Sequence, residues 1–213
     1  SYSTMRSITQ ASGDLMVPGH FSYVVYFMVL ALMCTGWKSA VCGRCGALTA
    51  AAFFAGWPIG QLVTVEVGSH LSISGSIVPV LFVCAAAIRK SGSAFAVVQL
   101  CSTAMLIAAA YVLLRQWIPL QSASLAYDRI WYASSAAALI AVLLVPSWLS
   151  RMTAVSLGLL CGDGLFFAMS DSAGTYVAGS LDFFDQWWLA VAAARLMTLV
   201  SGMLGRIGRA AGP

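Results

Sequence analysis

Residues 152–169 read MTAVSLGLLCGDGLFFAM, with a single charged residue, Asp163, between two glycines. As a helix rising 1.5 Å per residue this stretch is about 27 Å long, close to the roughly 30 Å hydrocarbon core of a bilayer. An ionised carboxylate at such a depth is costly and requires a partner or a water-filled cavity. The stretch therefore predicts a membrane helix and raises the question of what holds Asp163.

The rest of the chain agrees with that environment. Of its 213 residues, 61% are hydrophobic and 8% are charged, and the mean hydropathy is +0.90, whereas soluble domains usually carry about 25% charged residues. Apolar segments recur at His20–Trp37, Ala47–Glu66, Leu71–Ile88, Ala94–Leu114, Ile130–Leu149, Met152–Met169 and Trp187–Leu204. The expected fold is all-α, a polytopic transmembrane helical bundle of about seven spans forming one domain over residues 16–213. A re-entrant segment at the third or sixth position would leave five or six spans. Residues 1–15 read as an expression scar or a disordered extension, with Met16 as the natural start. The first apolar segment lacks a small-residue cleavage signal and leads straight into further spans, so it is expected to remain as a helix.

Basic residues orient such bundles, because cytoplasmic loops accumulate Lys and Arg. With seven spans, Lys38, Arg44, Arg89, Lys90, Arg151, Arg206 and Arg209 fall on one side, Arg6, Arg115 and Arg129 on the other, and Arg195 within the last span. This predicts the N-terminus outside and the C-terminus in the cytoplasm. Glu66, Asp171, Asp182 and Asp185 then lie at the outer surface. The net charge of +4 follows from topology, and nucleic acid is not an expected partner.

Small residues suggest the packing. Ala154, Gly158 and Gly162 recur every fourth position on the sixth span, as do Gly56 and Gly60 on the second, which lets backbones approach closely. Pro58 and Pro79 are expected to kink their helices.

For Asp163, the expected partner is Arg195. Measured from predicted boundaries at Met169 and Trp187, the two lie roughly 9 and 12 Å deep on consecutive antiparallel helices. The pair is readable as an ion pair that fixes helix register or as part of a proton or ion relay. Asp182 and Asp185 stand where they would cap the last helix; with Glu66 and His70 they form a possible outer polar cluster, without metal-ligand spacing. Trp187 and Trp188 read as an interfacial aromatic belt. Cys42-Gly-Arg-Cys45 is half a metal site or a redox pair, with Cys34 and Cys84 near the same inner face, but no second paired motif accompanies it. Gln99, Ser102 and Thr103 read as hydrogen-bonding groups between helices.

No phosphate-binding glycine loop or HExxH motif is present, and His20 and His70 are the only histidines; no catalytic residue, metal or cofactor is assigned. Several stretches nevertheless resemble the YphA family of small multi-spanning membrane proteins from Gram-positive spore-forming bacteria. They are PGHFSYVVYF and TGW near the start, SISGSIVPVL, SWLSRMTAVSLGLLCGDGLFF and YVAGSLDFFD. The resemblance covers the chain from Met16 and implies a bacterial plasma membrane location without an activity. The expected function is a non-enzymatic membrane component in the lipid bilayer that packs with a partner protein or a second copy. The alternative is a small carrier or ion-conducting protein using Asp163 and Arg195.

Overall fold

The computed structural model describes residues 19–37, 47–67, 71–117, 123–169 and 176–210. These comprise helices α1 (His20–Cys34) and α2 (Ala47–Gln61), strands β1 (Thr64–Glu66) and β2 (Leu71–Ser74), and helices α3 (Ile77–Ser91), α4 (Ala94–Trp117), α5 (Ala123–Leu144) and α6 (Trp148–Met169); strand β3 (Tyr176–Ala178) and helix α7 (Leu181–Ala210) follow. By length and composition α4 and α6 can cross a membrane. Large apolar side chains such as Phe27, Phe82, Phe95, Met105, Leu143 and Leu196 are exposed on the helices. An aqueous protein would bury or cover so much apolar surface.

Residues 1–15, His70, Cys42 and Cys45 lie outside the described residues. Among the described residues the helices overlap the expected spans, with two corrections: the last helix starts at Leu181, not Trp187, and the junction of the second and third spans is not helical. The second span was expected to reach Glu66 and the third to begin at Leu71, but these ends form β1 and β2. The cause is visible in Leu71-Ser72-Ile73-Ser74, whose period of two suits a strand better than a helix. Ser72 and Ser74 turn inward, and the Ser74 and Ser76 hydroxyls hydrogen-bond at 2.7 Å. Pairing also satisfies backbone groups where the chain leaves its helices. β1 pairs antiparallel with β2, Thr64 opposite Ser74, and β2 pairs parallel with β3, Leu71 opposite Tyr176.

Gly60 makes this turn possible: a Cβ there would lie 2.4 Å from the Ser76 nitrogen. Pro79, expected to kink a span, is the third residue of α3. In a first turn its missing N–H removes no helical hydrogen bond.

α6 is the central helix, packed against α3, α4, α5 and α7, most extensively against α4. Its small-residue stripe explains that contact. A Cβ on Gly158 would lie 2.7 Å from Ile107 Cβ and 2.9 Å from the Ala104 carbonyl oxygen, and one on Gly162 2.9 Å from the Tyr111 ring. Since Ile107 faces Gly158 and Tyr111 faces Gly162, α4 and α6 run parallel. Gln99 Nε2 donates to the Leu144 carbonyl at 2.6 Å, joining the start of α4 to the end of α5. Trp187 Nε1 donates to Ser156 Oγ at 2.9 Å and Arg151 Nη1 to Thr198 Oγ1 at 2.7 Å, so α7 runs antiparallel to α6. The sheet thus shares one end of the bundle with the ends of α4 and α6 and the starts of α5 and α7. The opposite end carries Arg89, Lys90 and Arg151.

Trp187 and Trp188 are not an interfacial belt; they are 1% and 4% exposed. They pack with Phe53 and Trp57 of α2, because α7 begins before them, at Leu181, and carries them into the interior.

The glycine contacts give a direct test by thermal unfolding in detergent. Gly158→Ala must push α4 and α6 apart and is expected to cost about 1–3 kcal/mol. Gly164→Ala, with nothing within 4 Å of the added Cβ, is expected to be neutral or slightly stabilising through helix propensity. Equal losses for the two would mean that the stripe does not set the contact.

Candidate functional site

Asp163 is 6% exposed and lies on the α6 face that meets α4. Arg115, in the last turn of α4, donates from Nη1 to Asp163 Oδ1 at 2.6 Å. The same nitrogen donates to the Tyr111 hydroxyl at 2.6 Å, and that hydroxyl donates to Asp163 Oδ1 at 3.0 Å. Tyr176, from β3, donates to Oδ2. Both carboxylate oxygens are therefore held by protein donors, one of them charged, the arrangement that makes a buried carboxylate tolerable.

Each partner is placed by packing already described. The missing side chain at Gly162 admits Tyr111. Arg115 is one turn beyond Tyr111, and helical side chains lean toward the N-terminus, so its long stem folds back to the depth of Asp163. Its guanidinium carbon lies 4.6 Å from the Phe166 ring centre and 5.3 Å from that of Tyr111, a favourable cation–π geometry. The Tyr176 ring stacks on Phe167 at 4.4 Å. Burial and the Asp163 charge push the Tyr176 phenol well above its ordinary pKa, so it remains a proton donor at neutral pH.

The expected pairing of Asp163 with Arg195 is therefore corrected. Arg195 stacks over Trp148, its guanidinium carbon 4.6 Å from the ring centre, and Trp148 starts α6, roughly 22 Å along the helix from Asp163. The depth comparison failed because α7 begins at Leu181, ahead of the boundary taken at Trp187, which carries Arg195 to the far end of the bundle. The partner came from a non-consecutive helix. The only hint in sequence was a basic residue near the end of a long apolar segment, one turn after a tyrosine.

The proposed outer cluster is also redistributed. Asp185 caps α1, not its own helix: Oδ2 accepts from the Gly19 N–H at 2.8 Å, and Oδ1 from the Ser22 N–H at 2.6 Å and the Ser22 hydroxyl at 2.5 Å. Asp182 is exposed in the first turn of α7, Glu66 is exposed on β1, and His70 lies outside the described residues. Among the described residues no three His, Cys, Asp or Glu side chains gather as a metal site. The protein mass around Asp182 and the neighbouring Asp185 charge raise its pKa, with Arg115 opposing them.

This geometry joins two halves of the chain at a closed, hydrogen-bonded carboxylate. The profile of the YphA-like integral membrane protein family matches residues 59–211, from the end of α2 through α7. The chain belongs to this family. No curated protein and no solved structure matches it. The matched span contains Tyr111, Arg115, Asp163 and Tyr176, whereas α1 and its segment PGHFSYVVYF lie outside it. This YphA-like protein is an integral membrane protein with a helical fold.

Two expectations follow. In a double-mutant cycle read by thermal stability, Arg115→Ala and Asp163→Ala are each expected to cost roughly 2–4 kcal/mol, the partial exposure of Arg115 moderating the usual cost of breaking a buried pair, and Asp163→Leu with Arg115→Leu to recover much of it. The corresponding cycle with Arg195 is expected to show coupling within about 0.5 kcal/mol of zero. Separately, a carboxylate with a raised folded pKa destabilises the fold once ionised, so the Asp182 contribution worsens as pH rises through its unfolded and then its folded pKa. Asp182→Asn is expected to raise the melting temperature at pH 7, while Asp185→Asn lowers it through the lost α1 cap.

Proposed function

We propose that this protein is a non-enzymatic, multi-pass component of the bacterial plasma membrane that works by packing against a partner membrane protein. The single observation that supports this best is the closure of Asp163 by Tyr111, Arg115 and Tyr176. A carrier or proton relay needs an ionisable group open to a cavity or a path, whereas this carboxylate has both oxygens engaged and joins α4, α6 and β3. The carrier alternative built on Asp163 and Arg195 loses its geometric basis, since the two residues lie toward opposite ends of α6.

In the proposed topology seven helices span, the sheet end faces outward and the end with Arg89, Lys90 and Arg151 faces the cytoplasm. The distribution of Lys and Arg supports this orientation, and the alternating helix directions are compatible with it.

Reconstitution and labelling test the proposal together. In liposomes containing a pH-sensitive dye, the protein is expected to produce no proton flux dependent on Asp163, and mild-detergent extraction of native membranes is expected to recover it with a stoichiometric membrane partner. Impermeant thiol reagents on intact cells are expected to leave Cys42 and Cys45 unmodified. Flux lost in Asp163→Asn would replace the packing role with transport, and strong labelling of either cysteine from outside would reverse the topology.

A further inference from the structure

The sheet leaves one side of β1 open. In the order β1-β2-β3 it is an outer strand, its three residues are all exposed, and nothing among the described residues pairs with its free side. The other outer strand, β3, is partly buried and lies against α6 through the stacking of Tyr176 on Phe167. Protein sheets usually blunt an edge with proline, lysine, a bulge or a covering element. In Leu62-Val63-Thr64-Val65-Glu66-Val67 the single charge of Glu66 is the only such device.

The ladder fixes which backbone groups face outward. The Gly75 N–H donates to the Val63 carbonyl at 2.8 Å and the Val67 N–H to the Leu71 carbonyl at 2.7 Å. Because antiparallel ladders alternate, Val63, Val65 and Val67 turn their backbone groups to β2. Thr64 and Glu66, opposite Ser74 and Ser72, therefore aim both N–H groups and both carbonyls away from the sheet. These four groups sit among apolar side chains, since Leu62, Val63, Val65 and Val67 are exposed. The basic end of α3, with Arg89 and Lys90, belongs at one boundary of the bilayer. Ile77, which starts α3, is about 20 Å from Lys90 along the helix, short of the roughly 30 Å hydrocarbon core. The hairpin thus begins inside the far boundary, where an open edge that meets lipid cannot leave its groups unpaired.

We infer that β1 pairs antiparallel with β1 of a second copy of this chain, about a two-fold axis through Val65. In that register Thr64 lies opposite Glu66 of the second copy and Glu66 opposite its Thr64, so all four outward groups on each strand are used and no like charges meet. The neighbouring registers are poorer. Centring on Glu66 sets carboxylate against carboxylate; centring on Thr64 sets Glu66 against Leu62, whose N–H is already given to the Ile59 carbonyl at 3.1 Å. The contact is isologous and closes after two copies, joining the two sheets into one. Its axis stands perpendicular to the joined sheet. For copies inserted in the same sense that axis is the membrane normal, so the pairing lays β1 across the end of the bundle. The inference goes beyond the proposed packing role, because it leaves the helix faces free and stands whether or not a second protein binds them.

Cysteine cross-linking in native membranes tests it. Opposed residues of a non-hydrogen-bonded antiparallel pair have Cα atoms about 4.5 Å apart, within disulfide reach. On mild oxidation Val65→Cys is expected to give at least about fivefold more cross-linked dimer than the unaltered chain or Thr64→Cys, since Thr64 opposes Glu66 and not its own copy. In mild detergent, Val65→Lys and Val65→Asp each set like charges together and are expected to be monomeric, whereas co-expression of the two restores a dimer. Thr64→Pro removes an outward N–H without touching the ladder to β2 and is expected to leave a folded monomer. Should the charged or proline variants fail to fold, Val65→Cys, a small change at an exposed position, still decides. A Val65→Cys cross-link no stronger than its controls would overturn the inference, as would dimers that persist in each charge variant alone or charge variants that stay monomeric together. Cross-linking of Val65→Cys to a different protein would give the edge to that protein and overturn it equally.

Discussion

A carboxylate inside an apolar bundle must be supplied with donors, and the arrangement around Asp163 meets that demand through helix packing. Gly158 and Gly162 remove the side chains that would separate α6 from α4. The close approach brings Tyr111 beside Gly162 and allows Arg115 to fold back onto Oδ1. The second oxygen takes its donor from β3, whose strand pairs with β2. Since β2 also pairs with β1, the hairpin between α2 and α3 is tied to the segment between α6 and α7. Loss of the carboxylate would therefore loosen helix packing and sheet attachment together, while loss of Arg115 would leave a charge in low dielectric.

The same physics recurs at Asp185. The start of α1 presents backbone donors for which there is no preceding turn to supply acceptors, and Asp185, far away in sequence, accepts two of them. Tyr26 of α1 stacks on Trp57 at 5.1 Å and donates to the Phe54 carbonyl at 2.7 Å. α1, outside the family match, is thus fastened to matched residues by a carboxylate at one end and to α2 by aromatic packing farther along. It belongs to the same packed structure despite the narrower match.

Much of the helical architecture was legible in the sequence because lipid imposes strong local rules: long apolar segments become helices, and small residues at intervals of four permit close contact. The Ala154, Gly158 and Gly162 stripe and the unusual position of Asp163 were both readable in this way. The partner of Asp163 was not. Consecutive helices are neighbours by connectivity, which favoured Arg195, but the closest approach is between the parallel helices α4 and α6, a choice set by tertiary packing. A helix start displaced from Trp187 to Leu181 then moved every depth on α7. The strands were obscured because β2 merges with an apolar run, so that only the alternating Leu71-Ser72-Ile73-Ser74 marked the change of period.

The two ends of the bundle handle charge differently. At the sheet end, the carboxylates of Asp163 and Asp185 are engaged by groups within the chain, and the resulting contacts join separate elements. At the opposite end, Arg151 is anchored through the neutral Val145 carbonyl and Thr198 hydroxyl, which orient a guanidinium without cancelling its charge. These two bonds tie the connection between α5 and α6 to α7. The carboxylates at the sheet end and the Arg151 guanidinium at the other thus perform the same task with opposite chemistry: acceptors gather donors at one end and a donor gathers neutral acceptors at the other, and each fastens elements that are not joined by a short turn.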